Sequence, residues 1–243
     1  GSGSRSIAGP VSVPRSVAIA SGRDTAYALD ETGAIWAWGL NDKGQVGDGT
    51  NTNRPTPVKL GLTDVVAIEA GHYHALAIRS DGTVWAWGYG ALGQLGLGTT
   101  NNRNVPTRVP GLSGITQVAG GRDMSYALRS DGTVLAWGSN ALGEVGDGTT
   151  TRRNSPVVVA NLSGVVEISG GRNHALARLA NGTVRAWGDN QYGQLGDGTT
   201  TRRTSPVAVS NLSGVAHVDA GAHHSVAVRT DGGLVRCEPP RRP

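Results

Sequence analysis

The sequence predicts an all-β chain assembled from one repeated four-stranded unit. Three observations carry this. Glycine supplies 38 of 243 residues and Phe none; that much glycine is hard to fit into helices, since each interior Gly costs a helix roughly 0.5–1 kcal/mol. Trp-Gly recurs at Trp38, Trp87, Trp137 and Trp187, in steps of 49, 50 and 50 residues. And within each step the apolar runs are short and closed by Gly or Asp-Gly, as strands and tight hairpins require.

The elements follow in order along one unit. The first is an apolar segment ending in Gly: Val17–Gly22, Val66–Gly71, Ile115–Gly121, Val165–Gly171 and Val215–Gly221. The second ends at a turn, Thr32-Gly33, Asp81-Gly82, Asp131-Gly132, Asn181-Gly182 or Asp231-Gly232. The third is the Trp-Gly strand. In Thr83–Gly88, Trp85 and Trp87 share one face and Val84 and Ala86 the other. A long Gly-rich loop comes next, then a Pro-flanked strand such as Val105–Val109. Proline has no N–H to donate, so that strand belongs at an edge. A four-stranded unit cannot bury both faces alone; stacking copies radially does so, and the product is a β-propeller.

The Gly-rich loop resembles a phosphate loop at first sight. It reads GQVGDGTN from Gly44, GQLGLGTT from Gly93, GEVGDGTT from Gly143 and GQLGDGTT from Gly193. A phosphate loop ends in Gly-Lys-Ser/Thr and opens a helix. Here no Lys ends the loop and a proline-bearing strand follows, so the loop is a structural connector. Its glycines allow positive φ, and its Asp and Thr can bond neighbouring backbone.

The joint pattern resembles the RCC1 (regulator of chromosome condensation) repeat over nearly the whole chain after Arg15. It comprises Ala70-Gly71, a His-bearing segment, Ala75-Leu76, Asp81-Gly82, Val84 to Trp87-Gly88, Gly93-Gln94-Leu95-Gly96 and a late Pro206-Val207. The resemblance implies a propeller, seven-bladed in known members, that mostly serves as a protein-binding platform. Members include a guanine nucleotide exchange factor for a small GTPase, a plant photoreceptor and a bacterial β-lactamase-inhibitor protein. No motif here carries the exchanger's contacts, and exchange activity is not expected. Near-identical units fit recent duplication, and Arg-rich, Lys-poor usage fits a GC-rich bacterial genome.

The chain departs from seven repeats: four units are complete and a fifth is begun. Where Trp187-Gly188 stands in the fourth, Cys237-Glu238 stands in the fifth, and the pattern then stops as a truncation or frame change would stop it. At the other end Gly9–Val13 resembles a unit's last strand. The expected architecture is therefore about five blades, four complete and one composite closed by that N-terminal strand. Residues 1–9 read as a linker opening with a cloning scar, residues 10–238 as the propeller, and residues 239–243 as a tail. An open arc is the alternative; it would expose two apolar faces and favour a homodimer or larger assembly.

Composition excludes little. A formal charge of +4 permits acidic partners without demanding them. One Cys, Cys237, rules out an internal disulfide. No run approaches the roughly 20 apolar residues of a membrane helix, and no secretory segment is visible.

Three residue sets are candidate sites. Arg54, Arg103, Arg152, Arg153, Arg202 and Arg203 follow the Gly-Thr turns at one phase, so they form a guanidinium ring on one face. That ring suits an acidic protein, unless each Arg pairs with Asp48, Asp147 or Asp197. Without aromatics among these loops, single-stranded nucleic acid is a poor fit. Arg23-Asp24, His72-Tyr73, Arg122-Asp123, Arg172-Asn173 and His223 vary just after a strand end, where a channel mouth would lie. Thr25, His74, Met124, His174 and His224 occupy one phase; His74, His174 and His224 could bind metal. The family resemblance instead makes them structural hydrogen-bonders, and Thr25 and Met124 break any ring. The repeated Trp38, Trp87, Trp137 and Trp187 should pack between blades, while Trp36 or Trp85 could be partly exposed.

No Ser-His-Asp order, Cys-His pairing or carboxylate dyad stands out, which argues against an enzyme, and no cofactor is expected. The function expected is a protein-protein interaction scaffold. Two alternatives stand beside it: a hydrolase or metal-binding protein built on hub His and Arg residues, and a truncated or engineered propeller with no evolved ligand.

Overall fold

The computed structural model describes residues 10–237. The first blade pairs β1 (Ser16–Ser21), β2 (Thr25–Asp30), β3 (Ile35–Gly39) and β4 (Arg54–Lys59) antiparallel in that order. The second has β5 (Val65–Ala70), β6 (His74–Arg79), β7 (Val84–Gly88) and β8 (Arg103–Arg108). The third has β9 (Ile115–Gly120), β10 (Met124–Arg129), β11 (Val134–Gly138) and β12 (Arg153–Val158), and the fourth β13 (Val165–Gly170), β14 (His174–Leu179), β15 (Val184–Gly188) and β16 (Arg203–Ala208). The fifth consists of β17 (Val215–Ala220), β18 (Ser225–Arg229) and β19 (Leu234–Cys237). No helix among the described residues is long and apolar enough to cross a membrane.

The first strand of each blade lies innermost, packed in succession from β1 through β5, β9 and β13 to β17. The apolar core is divided among the seams. Tyr27, Ile35, Val46, Ile68 and Trp87 fill the first; Leu76, Leu95, Val118 and Trp137 the second. Tyr126, Val145, Ile168 and Trp187 fill the third; Leu176, Leu195, Val218 and Ala227 the fourth.

Among the described residues no such core joins the fifth blade to the first, so the five sheets form an open arc. Among the described residues composite closure is not seen: Pro10–Val13 forms no strand, and the fifth sheet has three strands, β17 to β19. Gly9, the linker and the tail lie outside the described residues. The free faces are apolar. Val17 and Ile19 on β1 are 64% and 81% exposed, and Leu234 on β19 is 73% exposed. Trp38 departs from its expected seam position for the same reason. Trp87, Trp137 and Trp187 are fully buried, whereas Trp38 has no preceding blade and is half-buried. Trp36 and Trp85 are half-buried as well.

Two glycines of the repeat are forced by close approach. The Trp-Gly glycines Gly39, Gly88, Gly138 and Gly188 have φ of 119°, 98°, 108° and 102°. A Cβ there would strike the carbonyl of Asp24, Tyr73, Asp123 or Asn173. The connector glycines Gly47, Gly96 and Gly146 lie flat against the next blade's indole; a Cβ would sit 2.6, 2.8 and 2.7 Å from Nε1 of Trp87, Trp137 and Trp187. Those indoles donate to the carbonyls of Gln45, Gln94 and Glu144 at 3.0, 2.8 and 2.9 Å. Gly-Gln-Leu-Gly is thus the socket for Trp-Gly. In the fourth seam Cys237 takes the indole's place beside Gly196.

Candidate protein-docking face at the hub mouth

Each first hairpin turn is zipped to the start of its blade's connector. Leu40, Tyr89, Ser139 and Asp189 donate their N–H to the carbonyls of Asp24, Tyr73, Asp123 and Asn173, each at 2.8 Å. Turns and connectors therefore crowd the same end of the blades. Around the axis the turns pack glycine to carbonyl. A Cβ on Gly22, Gly71, Gly121 or Gly171 would meet the carbonyl oxygen of Gly71, Gly121, Gly171 or Gly221 within 2.8 Å. Backbone bonds from Arg23 to His72 (2.9 Å), from Arg122 to Arg172 (3.3 Å) and from Arg172 to Gly221 (3.2 Å) tie neighbouring turns.

These constraints bring Arg23, His72, Arg122 and Arg172 to one rim around a cavity of about 250 Å³. Arg23 donates to the Tyr73 hydroxyl at 2.6 Å and lies 3.6 Å from the Asp24 carboxylate. Arg122 is 3.1 Å from Asp123. Arg172 differs: its neighbour is Asn173, and its Nη1 lies 3.4 Å from Nε2 of His223. Among the described residues no carboxylate lies within ion-pair distance of it, and its Nε is buried without a hydrogen-bond partner. Because a guanidinium has no lone pair to offer, the Arg172–His223 bond makes Nε2 the acceptor and leaves the His223 proton on Nδ1. That nitrogen too is buried and unpartnered. Burial depresses the His72 pKa, and Arg122, Arg172 and Arg23 depress it further against the pull of Asp123. The Asp123 pKa is raised by burial, although Arg122 opposes the shift.

Beside the rim, between the first and second connectors, lies a second cavity of about 340 Å³. Tyr73, Tyr89, Leu40 and Leu92 wall it, with Lys43 and Arg122 at its edge. Tyr73 and Tyr89 meet edge-on at 6.4 Å, and Arg23 lies over the Tyr73 ring at 5.7 Å. Lys43 pairs with Asp42 at 3.0 Å. On the far side Tyr192 packs edge-on against His223 at 4.9 Å. Sequence reasoning passed over Leu40, Tyr89 and Tyr192. A signal was present: the position after Trp-Gly reads Leu40, Tyr89, Ser139 and Asp189, a different residue in each unit beside an invariant Trp-Gly.

The loop arginines are largely engaged within their own blades. Arg54 pairs with Asp48, Arg153 with Asp147 at 2.6 Å and Arg203 with Asp197 at 2.7 Å. The three carboxyls are held below their usual range by bonds from Thr50, Thr149 and Thr199 and by these guanidiniums, against opposing burial. Arg152 and Arg202 reach back to the preceding connector, at the carbonyls of Ala91 (3.4 Å) and Ala141 (3.3 Å). Arg103 has Leu97 where the others have Asp, and it bonds the carbonyl of Asn102 at 3.4 Å. Each Asp belongs to a network centred on Asn41, Asn140 or Asn190. That Asn donates to the Asp and to two loop carbonyls and accepts the N–H of Val46, Val145 or Leu195.

The histidines separate. His74 Nε2 lies 2.8 Å from Ser125 Oγ in the next blade, and His174 Nε2 lies 2.9 Å from Ser225 Oγ. Each serine hydroxyl donates onward to a connector carbonyl, Gln94 or Gln194, at 2.8 Å. Burial lowers both imidazole pKa values to about 4. His224 is exposed on the fifth blade. No group of three or more His, Cys, Asp or Glu among the described residues could hold a metal ion.

The regulator of chromosome condensation (RCC1) repeat model matches residues 32–78, 81–128, 131–178 and 181–228, and a second RCC1 repeat model matches four segments from residue 17 to 194. The chain belongs to the RCC1-repeat family. Among solved structures this RCC1-repeat chain is similar to human WBSCR16, at 25% identity and TM-score 0.81, covering 91% of this chain and 61% of that one. It is similar to yeast RCC1 (Prp20) in complex with Kap60, at 27% identity and TM-score 0.79, covering 92% and 56%. It also matches Prp20p from Saccharomyces cerevisiae, described with its binding to Gsp1p and histones, at 29% identity and TM-score 0.77, covering 90% and 56%. The RCC1-repeat chain thus spans about three fifths of the length of these structures. No curated protein matches it.

Proposed function

We propose that the chain is a protein-binding scaffold whose docking face is the hub mouth, and that it receives an acidic segment of its partner. The observation that carries this is that Arg172, at the rim, has no carboxylate within ion-pair distance among the described residues. Of the three rim arginines, Arg23 and Arg122 each have a carboxylate at ion-pair distance and Arg172 has none. A carboxylate from outside can form charge-assisted bonds there without first displacing an internal partner. The rim is held by close backbone packing while its side chains vary from repeat to repeat, as suits a recognition surface on a scaffold. Of the loop arginines, Arg54, Arg153 and Arg203 fit this role less well because their own aspartates already occupy them, whereas Arg103, Arg152 and Arg202 bond only backbone carbonyls. Similarity to Prp20, whose structure holds Kap60, supports a protein as the partner class.

The test uses a fluorescein-labelled oligoglutamate peptide, with oligolysine as control, followed by anisotropy at low and raised salt. Oligoglutamate should bind, weaken with salt, and lose about tenfold in affinity in Arg172→Ala. Equal binding to Arg172→Glu, or preference for oligolysine, would sink the proposal.

A further inference from the structure

We infer that the cavity beside the rim is a pocket for one large apolar side chain, carried by the same partner segment close to its acidic residue. This rests on the docking reading above and adds the partner's second feature. The cavity and the rim share Arg122, and the hydrogen bond from Arg23 to Tyr73 joins a rim guanidinium to the pocket's aromatic wall. In an extended segment residues two apart share a face, so one whose carboxylate lies over Arg122 and Arg23 can set the side chain two positions along above Tyr73, Tyr89, Leu40 and Leu92. The volume, about 340 Å³, is at the small end of ligand pockets, which run about 300–1,000 Å³, and fits a side chain better than a large cofactor.

The pocket is not a by-product of the repeat. Its tyrosines stand at positions that differ between units. Where the second blade has Tyr73 and Tyr89, the third has Asp123 and Ser139 and the fourth Asn173 and Asp189. The aromatic pair exists only at the first seam among the described residues, while the socket glycines and indoles beneath it recur at three seams. Half-buried tyrosines facing a cavity offer an apolar surface with a polar tip, the common make-up of an anchor pocket in a protein interface. The ion pairs at the edge, Arg122 with Asp123 and Lys43 with Asp42, give the pocket a polar rim.

Four labelled peptides of one length in a Gly-Ser frame test this, with Glu-Glu-Phe, Glu-Glu-Ser, Ser-Ser-Phe or Lys-Lys-Phe at the centre. Their affinities would be measured on the wild-type chain and on Tyr89→Ser, a substitution the third blade already carries at Ser139; thermal melting checks that the variant is folded. Glu-Glu-Phe should bind about tenfold more tightly than Glu-Glu-Ser. In Tyr89→Ser that ratio should fall to near one while Glu-Glu-Ser affinity is kept. A ratio near one in the wild-type chain, or a ratio that survives Tyr89→Ser, overturns the pocket and leaves acidic docking standing. Equal binding of Lys-Lys-Phe and Glu-Glu-Phe overturns acidic docking; the pocket then stands or falls on whether Tyr89→Ser abolishes the Phe dependence. Absence of binding by all four overturns both.

Discussion

Glu144 occupies a place that is Gln in the other three connectors. Its carboxylate accepts the N–H of Leu142 at 2.7 Å, as the amides of Gln45, Gln94 and Gln194 accept those of Lys43, Leu92 and Tyr192. Burial raises its pKa. A raised carboxyl pKa means the fold prefers the protonated form, so stability declines as pH climbs from the unfolded value, about 4.3, through the folded one. Glu144→Gln should therefore stabilise the chain by about 0.5–2 kcal/mol near neutral pH and by nothing below the unfolded pKa. Urea unfolding of both proteins across that range checks it. The buried histidines have the opposite slope. His74 and His174 are depressed from 6.5 to about 4, so their contribution is complete above the unfolded value and is lost as pH falls from about 6.5 to about 4. The loss is on the order of 3 kcal/mol for each. A double variant, His74→Gln with His174→Gln, should remove the acid slope in that window. An unchanged slope would place the titrating groups elsewhere.

At the scale of elements, the connector's task is to seat the neighbouring indole, and two glycines of one loop type separate that task from simple turn geometry. Gly96 and Gly198 both have positive φ, 70° and 73° for Gly96 and its loop mate Gly98, and 80° for Gly198. A Cβ on Gly96 meets the Trp137 ring, while one on Gly198 meets nothing within 4 Å. Gly198→Ala should cost about 1–2 kcal/mol, the left-handed backbone alone, and Gly96→Ala about 1–3 kcal/mol more. Denaturant midpoints would rank them; equal losses would mean the socket is not tight. Most of this level was legible in the sequence. The four-strand order, the edge proline and the structural nature of GQLG all follow from spacing and turn residues, with strand ends shifted by a residue or two. What spacing could not show is which carbonyl an indole reaches, since Trp87 and Gln45 belong to different blades. For the same reason the rim residues could be placed near a channel mouth, but the Tyr73–Tyr89 pocket could not: it draws on two turns and two connectors from successive units.

For the whole molecule, the open arc departs from the composite closure that the sequence predicts, and is the alternative set beside it. The decision lay in whether Pro10–Val13 would pair, and it forms no strand, although β4 pairs with two prolines of its own. Val17 and Ile19 on one free face and Leu234 on the other should make the chain self-associate as concentration rises. Ile19→Lys combined with Leu234→Lys should move the mass from light scattering toward the monomer, and an identical mass for both proteins would show that these faces do not meet. The seams also come in two alternating kinds. At the first and third, a tyrosine (Tyr27, Tyr126) shares the connector carbonyl with the next indole; at the second and fourth, a serine (Ser125, Ser225) reaches that carbonyl with a histidine behind it. The assembly therefore has parity. A single blade cut out or pasted in would set a tyrosine seam against a serine partner, whereas an adjacent couple could be gained or lost with every interlock intact.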